Sequence, residues 1–418
     1  YPPMDELLLH NATLIDGTGA DPRPGTSVLV EKGLIRQIGS SESITPPRDG
    51  RVIDLNGLTL MPGLTDAHVH FGALGANAFA GSPGDYDSLA AYVIGVVENI
   101  ELALQEGFTT VRDAGGLDPA FARAVEQGLI RGPRILPSGS HLSQTGGHGD
   151  RRDRYDERPI VSVPGILAAP VLVDGVDQVR LAARQQLRLG STQVKVMASG
   201  GVMSPIDALE SIQFTVEEMH AAVHEAEMAG KYVVAHCHTS PSINNALAAG
   251  VRSIEHGSIL DEATANAILN QGAFMIPTLL VIETLAKWAE AGDIPHYGQM
   301  KLAQVRTQMP LSVELAASAG VLLGSGTDIL GPGQTGRGEE LALKARVIGP
   351  MKAIVSATTT NARLFRLEDS IGKVSEGMDA DLIAISGDPI SDISLLGNGK
   401  NIPLVIKGGQ VVKESLQT

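Results

Sequence analysis

The 418-residue chain is poor in cysteine and in aromatic residues, and it lacks long hydrophobic runs. Cys237 is the only cysteine, so an intrachain disulfide is excluded. Aromatic residues make up 3% of the chain, which argues against a site that binds sugars or bases by stacking. No apolar run reaches the ~18 residues of a membrane-spanning helix. These absences favour a protein whose interior is filled by Val, Ile, Leu and Ala.

Positive charge is also scarce, since 32 basic residues stand against 47 acidic ones and the net charge is −15. Nucleic acids and anionic membranes both require a basic face, so we expect neither as a partner. The charge keeps the protein soluble and does not exclude an acidic substrate in a local cationic pocket. Because the chain starts at Tyr1 rather than methionine, an upstream signal peptide or tag is compatible with the sequence. The sequence therefore does not decide between the cytoplasm and, if a signal peptide was removed, the periplasm or the exterior of the cell.

Short strand patterns occur near both ends of the chain. They cover residues 7–17, 27–39 and 51–57 at the N-terminal side and 381–385 and 403–412 at the C-terminal side. We expect the two ends to meet in one small β-sandwich domain formed by residues 1–60 and 366–418. Residues 61–365 would then be an insertion between its halves.

Within this insertion, helices and strands alternate at the spacing of βα units. Helical patterns cover residues 89–107, 119–128, 177–189, 215–230, 242–249, 261–271 and 311–319, and a short apolar strand follows each. With the strand that ends at His70, the count is eight strands separated by helices, which is the count of a TIM barrel. The predicted fold class is α/β, a (β/α)8 TIM barrel with a small β-sandwich domain from both chain ends.

The first barrel strand carries a pair of histidines. Residues 60–70 form an apolar run that breaks at Pro62 and Gly63 and ends in His68 and His70. Residues i and i+2 of a strand share a face, so the two imidazoles point the same way. Two converging imidazoles supply half of the ligands of a first-row metal ion.

Other predicted strands end in similar residue types. Each residue taken alone has a structural explanation, because a histidine at a strand end is often a core residue and an aspartate is often a helix N-cap. Active sites of TIM barrels lie at the carboxyl ends of the strands, however, and there metal-binding residue types occur together. These residues are Lys195 on the fourth strand, His236 and His238 on the fifth, His256 on the sixth and Asp328 on the eighth.

This order of residues resembles the signature of the amidohydrolase superfamily. The resemblance covers nearly the whole chain and includes residues 62–70, 194–201, 254–257 and 325–328. Within the superfamily the chain is most similar to the imidazolonepropionase-like branch, which holds Xaa-Pro dipeptidases, N-acyl-amino-acid carboxypeptidases and ochratoxin-hydrolysing amidohydrolases.

The resemblance implies a binuclear centre with two divalent metal ions, zinc being the expected metal. His68, His70 and Asp328 would hold the first ion, and His236 and His256 the second. Lys195 would bridge both ions as a carbamate formed with CO2. The family motif favours His236 over His238 as the ligand from the fifth strand, and the sequence by itself leaves the reverse open. A hydroxide between the ions would attack the substrate carbonyl, and Asp328 would pass its proton to the leaving amine.

Substrate contacts are expected from a glycine-rich loop at residues 145–152. Its His148, Arg151 and Arg152 could receive a carboxylate, and a solvated loop face is the alternative for the two arginines. The resemblance implies that His148 grips the terminal carboxylate of the substrate, and His238 is a second candidate for a substrate contact. Arg112, at the end of the second strand, is expected to support the barrel.

The sequence therefore predicts a metal-dependent hydrolase of an amide bond next to a free carboxylate. Its substrate would be a small or dipeptide-like acid: an Xaa-Pro dipeptide, an N-acyl amino acid or an ochratoxin-type amide. The alternatives within the superfamily are a ring hydrolase, a deaminase and a lactonase, and a non-catalytic oligomerisation scaffold is the alternative outside enzymes. The resemblance also implies a homo-oligomer.

Overall fold

The computed structural model describes residues 6–74 and 88–416. The chain divides into two compact units. One comprises Tyr1–Asp66, Glu101–Thr110 and Thr335–Thr418, and the other comprises Ala67–Ile100 and Val111–Gln334. Residues 335–365 thus belong to the unit of the chain ends, whereas the sequence-based limits assign them to the barrel domain. Those limits stay a prediction, and their outer ends, residues 1 and 418, lie outside the described residues.

The elements are numbered here in chain order. The strands of the described chain are β1 Glu6–Leu14, β2 Arg23–Glu31, β3 Leu34–Ser40, β4 Arg51–Asp54, β5 Thr59–Pro62, β6 Leu64–Val69, β7 Phe108–Asp113, β8 Arg134–Pro137, β9 Leu142–Ser143, β10 Val171–Leu172, β11 Val194–Met197, β12 Val233–Thr239, β13 Ser253–Ile259, β14 Phe274–Ile276, β15 Leu322–Leu323, β16 Leu382–Ile385, β17 Leu404–Lys407 and β18 Gln410–Glu414. The α-helices are α1 Leu89–Gln105, α2 Pro119–Glu126, α3 Val176–Leu189, α4 Val216–Met228, α5 Ser240–Ala248, α6 Glu262–Gln271, α7 Leu279–Ala291, α8 His296–Ala319, α9 Glu339–Ile348, α10 Pro350–Val355 and α11 Asn361–Phe365.

Strands from both chain ends join in one sheet. Its order is β18-β17-β16-β5-β1-β2-β3, with β4 paired to β1. The two ends meet where β16 runs antiparallel to β5, with Leu382 opposite Pro62. Their apolar side chains share one core that includes Leu9, Leu60 and Leu404. The prediction that both chain ends build one small β domain is confirmed.

The second unit contains the parallel strands of the barrel. Strands β10-β9-β11-β12-β13-β14-β15 form one parallel sheet in this order. Two backbone hydrogen bonds connect the segment after β15 to β6. The Ala67 N–H donates to the Ser325 carbonyl at 2.8 Å, and the Asp328 N–H donates to the His68 carbonyl at 2.7 Å. The (β/α)8 TIM barrel predicted from the alternation is confirmed.

Helix α4 begins at a capping box. In α4, the Thr215 hydroxyl accepts from the Glu218 N–H while the Glu218 carboxylate accepts from the Thr215 N–H. The predicted helices agree in position with α1 to α6 and with the end of α8, whereas the sequence missed α7, the part of α8 before residue 311, and α9 to α11. Proline usually ends a helix, yet α8 continues through Pro310, and for this reason its start was misplaced. None of the helices in the described chain combines the length and the apolar character that crossing a bilayer demands.

Candidate metal centre

One cavity in the second unit gathers most of the predicted site residues. Its polar lining belongs to strand ends and to the loop after β9, and apolar side chains complete the wall. The polar lining residues are His68, His70, His148, Arg151, Lys195, His236, His238, His256 and Asp328, and the apolar ones are Met197, Val202, Met203, Val281, Ile282, Leu285 and Leu330.

His68, His70 and Asp328 form a compact group of potential metal ligands. Their ligand atoms all lie within 4.8 Å of one another. The two Nε2 atoms of His68 and His70 are 3.2 Å apart, and Asp328 Oδ1 is 3.4 Å from His70 Nε2 and 3.8 Å from His68 Nε2. All three residues are buried.

The hydrogen bonds of the two histidines show that this group is arranged for a cation. His68 Nδ1 lies 2.7 Å from Glu255 Oε2, and His70 Nδ1 lies 2.7 Å from the Gly115 carbonyl oxygen. A carbonyl or a carboxylate only accepts, so each Nδ1 carries the proton and each Nε2 presents a lone pair. Two lone pairs and a carboxylate oxygen at these distances repel one another unless a positive ion lies between them, and imidazole and carboxylate suit a first-row divalent ion. The residues present therefore fit a metal.

Burial keeps these imidazoles neutral, as metal ligands must be. It lowers the pKa of His68 to about 4, with the charge of Lys195 acting in the same direction. It also lowers the pKa of His70 well below its ordinary value, and repulsion between the two rings if both were protonated acts in the same direction.

The strand ends of β12 and β13 bring further imidazoles to the cavity. His236 Nε2 donates to the Gly200 carbonyl at 3.1 Å, which leaves Nδ1 as the atom for a metal. His256 Nδ1 lies 2.8 Å from Thr278 Oγ1, and its ring centroid is 4.6 Å from that of His236. His238 also lines the cavity, with Nδ1 2.8 Å from Ser258 Oγ. The alternative between His236 and His238 as the ligand of the fifth strand therefore stays open.

Two of these residues have unusual backbone conformations. His256 has φ +71° and Asp328 has φ +53°, in the left-handed region that non-glycine residues rarely adopt. Such strain persists only where the surrounding structure holds it, and it is concentrated at functional sites. His256 lies within β13, Asp328 lies in the segment after β15, and both line the cavity.

Lys195 is the one lysine of the described cavity lining. Its side chain on β11 is fully buried, and burial lowers the pKa of its ammonium to about 8, partly offset by the charges of Glu255 and Asp328. Burial therefore favours the neutral amine over the ammonium.

The two arginines of the loop after β9 lie in different surroundings. Arg151 lines the cavity, and removal from water lowers the pKa of its guanidinium to about 10. Arg152 instead pairs with Asp150, with Nε 2.8 Å from Oδ1 and Nη2 2.8 Å from Oδ2. Arg152 does not reach the described cavity lining, so the structure brings only one of the two predicted arginines to the site.

Glu255 is a site residue that sequence reasoning missed. Its carboxylate joins His68 to the guanidinium of Arg112, whose Nη2 lies 2.6 Å from Glu255 Oε1, and all three side chains are buried. A glutamate inside an apolar strand was the available signal, because a buried carboxylate requires a buried partner. Arg112 also donates from Nε to the Ala67 carbonyl at 2.6 Å, in agreement with its expected supporting role.

A comparison with known protein families shows to which family the chain belongs. The profile of the amidohydrolase family matches residues 59–412. The chain belongs to the amidohydrolase family. It is accordingly a hydrolase of C–N bonds, of the amide or peptide kind, in a family that generally uses metal ions.

Individual relatives of this amidohydrolase are similar over nearly its full length. Ochratoxinase from Aspergillus niger is 32% identical, over 97% of this chain and 86% of that protein. The crystal structure of a prolidase complexed with N-methylphosphonate-L-proline has 37% identity and a TM-score of 0.91, and covers 98% of this chain and 100% of that chain. A Xaa-Pro dipeptidase with bound methionine has 31% identity and a TM-score of 0.87 with the same coverage.

Proposed function

We propose that this amidohydrolase cleaves an amide bond adjacent to a free carboxylate, with two divalent metal ions, expected to be zinc, in the cavity described above. The observation that carries the proposal is the convergence of His68, His70 and Asp328 in the same cavity as the guanidinium of Arg151. The convergent acceptors suit a cation, and the guanidinium suits a carboxylate.

The first ion would be held by His68, His70 and Asp328, and the second by His236 and His256. Lys195 would contribute to both as a carbamate. Its neutral amine attacks CO2, a C–N bond forms, and one proton leaves to solvent, so the cation becomes an anion with two oxygen ligands. The lowered pKa of Lys195 supports this step because only the unprotonated amine is nucleophilic.

Divalent ions in such a site acidify a water molecule and polarise the carbonyl that it attacks. Asp328 would accept the proton of that water through its carboxylate and transfer it to the nitrogen of the leaving amine. Glu255 would hold His68 in the tautomer with Nε2 free for the metal.

The carboxylate of the substrate would lie against Arg151, with His148 and His238 beside it in the lining. Val281, Ile282 and Leu285 of α7 offer an apolar wall for the acyl group or a side chain. The names of the relatives, ochratoxinase, prolidase and Xaa-Pro dipeptidase, favour Xaa-Pro dipeptides, N-acyl amino acids or ochratoxin-type amides as substrates.

The test combines metal analysis with a substrate screen. We expect two metal equivalents per wild-type chain, hydrolysis of dipeptides or N-acyl amino acids, and loss of both activity and bound metal in Lys195→Ala. Labelling with ¹³CO2 should give a carbamate signal that is absent in Lys195→Arg, which keeps the charge but lacks the amine. One metal equivalent in the wild type, or unaltered activity in Lys195→Ala, would remove the two-metal proposal.

We also propose a homo-oligomer, on the family resemblance alone. Light scattering coupled to size-exclusion chromatography tests this directly, since a single 43.7 kDa species would contradict it.

A further inference from the structure

His148 is connected to a chain of polar side chains that the mechanism above does not use. Its Nδ1 lies 2.9 Å from Ser204 Oγ, and this hydroxyl contacts the carboxylate of Asp207. Lys301 of α8 lies 3.4 Å from Asp207 Oδ1 and also donates to the carbonyls of Gly201, Ser204 and Asp207 at 3.0, 2.9 and 2.6 Å. His148, Ser204 and the Asp207 side chain are buried.

The hydrogen-bond roles in this chain can be assigned by counting protons. The Asp207 carboxylate, paired with the Lys301 ammonium, only accepts, and so does the Gly201 carbonyl, which lies 3.1 Å from Ser204 Oγ. Ser204 has one hydroxyl proton, and both of these partners can only accept it, so the proton points toward them. Ser204 Oγ must therefore accept from His148, which places a proton on Nδ1.

Several contacts hold the imidazole in this orientation. The backbone N–H of His148 donates to Gln213 Oε1 at 2.8 Å, and Gln213 Nε2 donates to Asp207 Oδ2 at 2.8 Å. The ring stacks on His236 at 4.3 Å between centroids, with 18° between the planes. A Cβ on Gly201 would lie 2.1 Å from His148 Cε1, so only glycine leaves room for the ring there.

We propose that Ser204, Asp207 and Lys301 are positioning residues that fix the proton of His148 on Nδ1, so that Nε2 faces the cavity as a hydrogen-bond acceptor for an N–H group of the substrate. A neutral imidazole in this tautomer cannot donate from Nε2 to a carboxylate. In this proposal Arg151 therefore binds the carboxylate, and His148 recognises the part of the substrate that carries nitrogen-bound hydrogen.

The surroundings of His148 agree with a neutral ring. The ring is buried and shares its cavity with the guanidinium of Arg151, and both features disfavour a positive charge on it. Arg151 follows three residues later in the same loop and lines the same cavity. In an amide of an amino acid, the N–H is separated from the carboxylate by one carbon atom, so neighbouring binding groups for the two are expected.

Two groups of a substrate could donate a hydrogen bond to His148 Nε2. One is the N–H of a secondary amide, as in an N-acyl amino acid, and the other is the amino-terminal ammonium of a dipeptide. This inference rests on the proposed hydrolysis of carboxylate-bearing amides, and two matched substrate pairs distinguish the sources. The first pair is an N-acyl-alanine and its N-methyl derivative, and the second is alanyl-proline and propionyl-proline, which lacks the amino group.

The kinetic test compares how each enzyme variant discriminates within a pair. In the wild type, kcat/KM should be higher for the member of each pair that has the N–H donor. In His148→Ala, the ratio of the two kcat/KM values should fall about tenfold in at least one pair. Steric effects of the added methyl or the missing amine cancel when the ratios are compared between enzymes. Ser204→Ala should lower the same preference, whereas Thr307→Ala, which removes an exposed hydroxyl of α8 bonded to the Ala303 carbonyl, should leave it unchanged.

Neutron diffraction of metal-loaded crystals provides a test that needs no turnover. We expect a deuterium atom on His148 Nδ1, directed at Ser204 Oγ, and none on Nε2. Deuterium on Nε2 would overturn the inference, as would unchanged preferences of His148→Ala in both pairs. An altered preference in His148→Ala but not in Ser204→Ala would remove the positioning role of Ser204. If the metal-loaded wild type hydrolyses no member of either pair, the proposed function fails, while the neutron result still decides the tautomer.

Discussion

Glu255 Oε2 accepts a hydrogen bond from His68 Nδ1 at 2.7 Å, and the other oxygen of this carboxylate faces the guanidinium of Arg112 at 2.6 Å. A carboxylate behind a ligating histidine fixes the tautomer and makes the metal-binding nitrogen more basic. Glu255 therefore connects its buried ion pair with Arg112 to the candidate metal centre.

We expect Glu255→Gln to weaken metal binding by about 10- to 100-fold, because the amide orients His68 less well and no longer raises its basicity. Competition with a chelator measures this affinity. The variant should also lose about 3–5 kcal/mol in free energy of unfolding, since the buried guanidinium of Arg112 loses its counter-charge. Ser253→Ala is the matched control, because Ser253 Oγ bonds to Glu255 Oε1 at 2.5 Å without touching His68. Equal metal affinity of Glu255→Gln and wild type would contradict the orienting role.

Replacing Asp328 by asparagine should lower kcat by about 10²- to 10⁴-fold once the site is saturated with metal, since the amide cannot accept and return a proton. Asparagine tolerates the left-handed backbone of this position, where φ is +53°, so the loss should not come from strain. Kinetics at saturating zinc, with metal content measured on the same sample, separate proton transfer from metal loss. A metal-saturated variant with kcat close to wild type would show that another group moves the proton.

Arg151→Met should raise KM about 10- to 100-fold for substrates with a free carboxylate, because charge-assisted hydrogen bonds to that group are lost. Amidated analogues of the same substrates should be little affected. Arg152→Met removes the same charge from the neighbouring position, where the side chain pairs with Asp150, and should leave KM unchanged. Equal responses of carboxylate and amidated substrates would indicate that Arg151 does not bind the carboxylate.

A pH-dependent effect is expected at the start of α6. Asp261 Oδ1 accepts from the Thr264 N–H at 2.7 Å, and this bond holds the pKa of the carboxyl below its ordinary value. A carboxylate with a depressed native pKa stabilises above its unfolded pKa, and this contribution disappears as the pH falls through the native value. Asp261→Ala should destabilise the helix by about 1 kcal/mol at neutral pH.

Hydrogen exchange of the α6 amides measures this change locally. Asp261→Asn is the control, because asparagine caps a helix as well as aspartate but does not titrate. In Asp261→Asn, the exchange protection of the α6 amides should match the wild type at neutral pH. It should not decline as the pH falls through the range in which Asp261 of the wild type takes up a proton. A parallel decline in both proteins would assign the pH effect to another group.

The sequence predicted the elements of this protein well where periodicity and capping agreed. The predicted helix over residues 261–271 corresponds to α6, which covers Glu262–Gln271 and begins after the capping residue Asp261. By contrast, α7 was missed, since its first four residues, Leu279–Ile282, are all apolar and buried, and its start therefore shows no alternation of polar and apolar residues. Such a helix depends on tertiary packing rather than on a local pattern.

For the candidate site, the sequence supplied the residue types but not their roles. His68 and His70 share a face of one strand, and this follows from local geometry alone. Arg151 and Arg152 are chemically identical neighbours, and only the folded loop brings one to the cavity and the other to Asp150. The tautomers of His68 and His148 depend on Glu255 and Ser204, which are 187 and 56 residues away along the chain.

The sequence by itself therefore predicted the barrel with its small β domain, and it supplied candidate metal-binding residue types in the barrel strands. The barrel follows from hydrophobic periodicity, and the family follows from the resemblance of its residues to the superfamily signature. Only the tertiary structure decided which nitrogen of His68 and of His70 carries a proton and which arginine enters the cavity. The reason is physical, since hydrogen-bond partners buried together are chosen by the packing of distant segments and not by the neighbours in the chain.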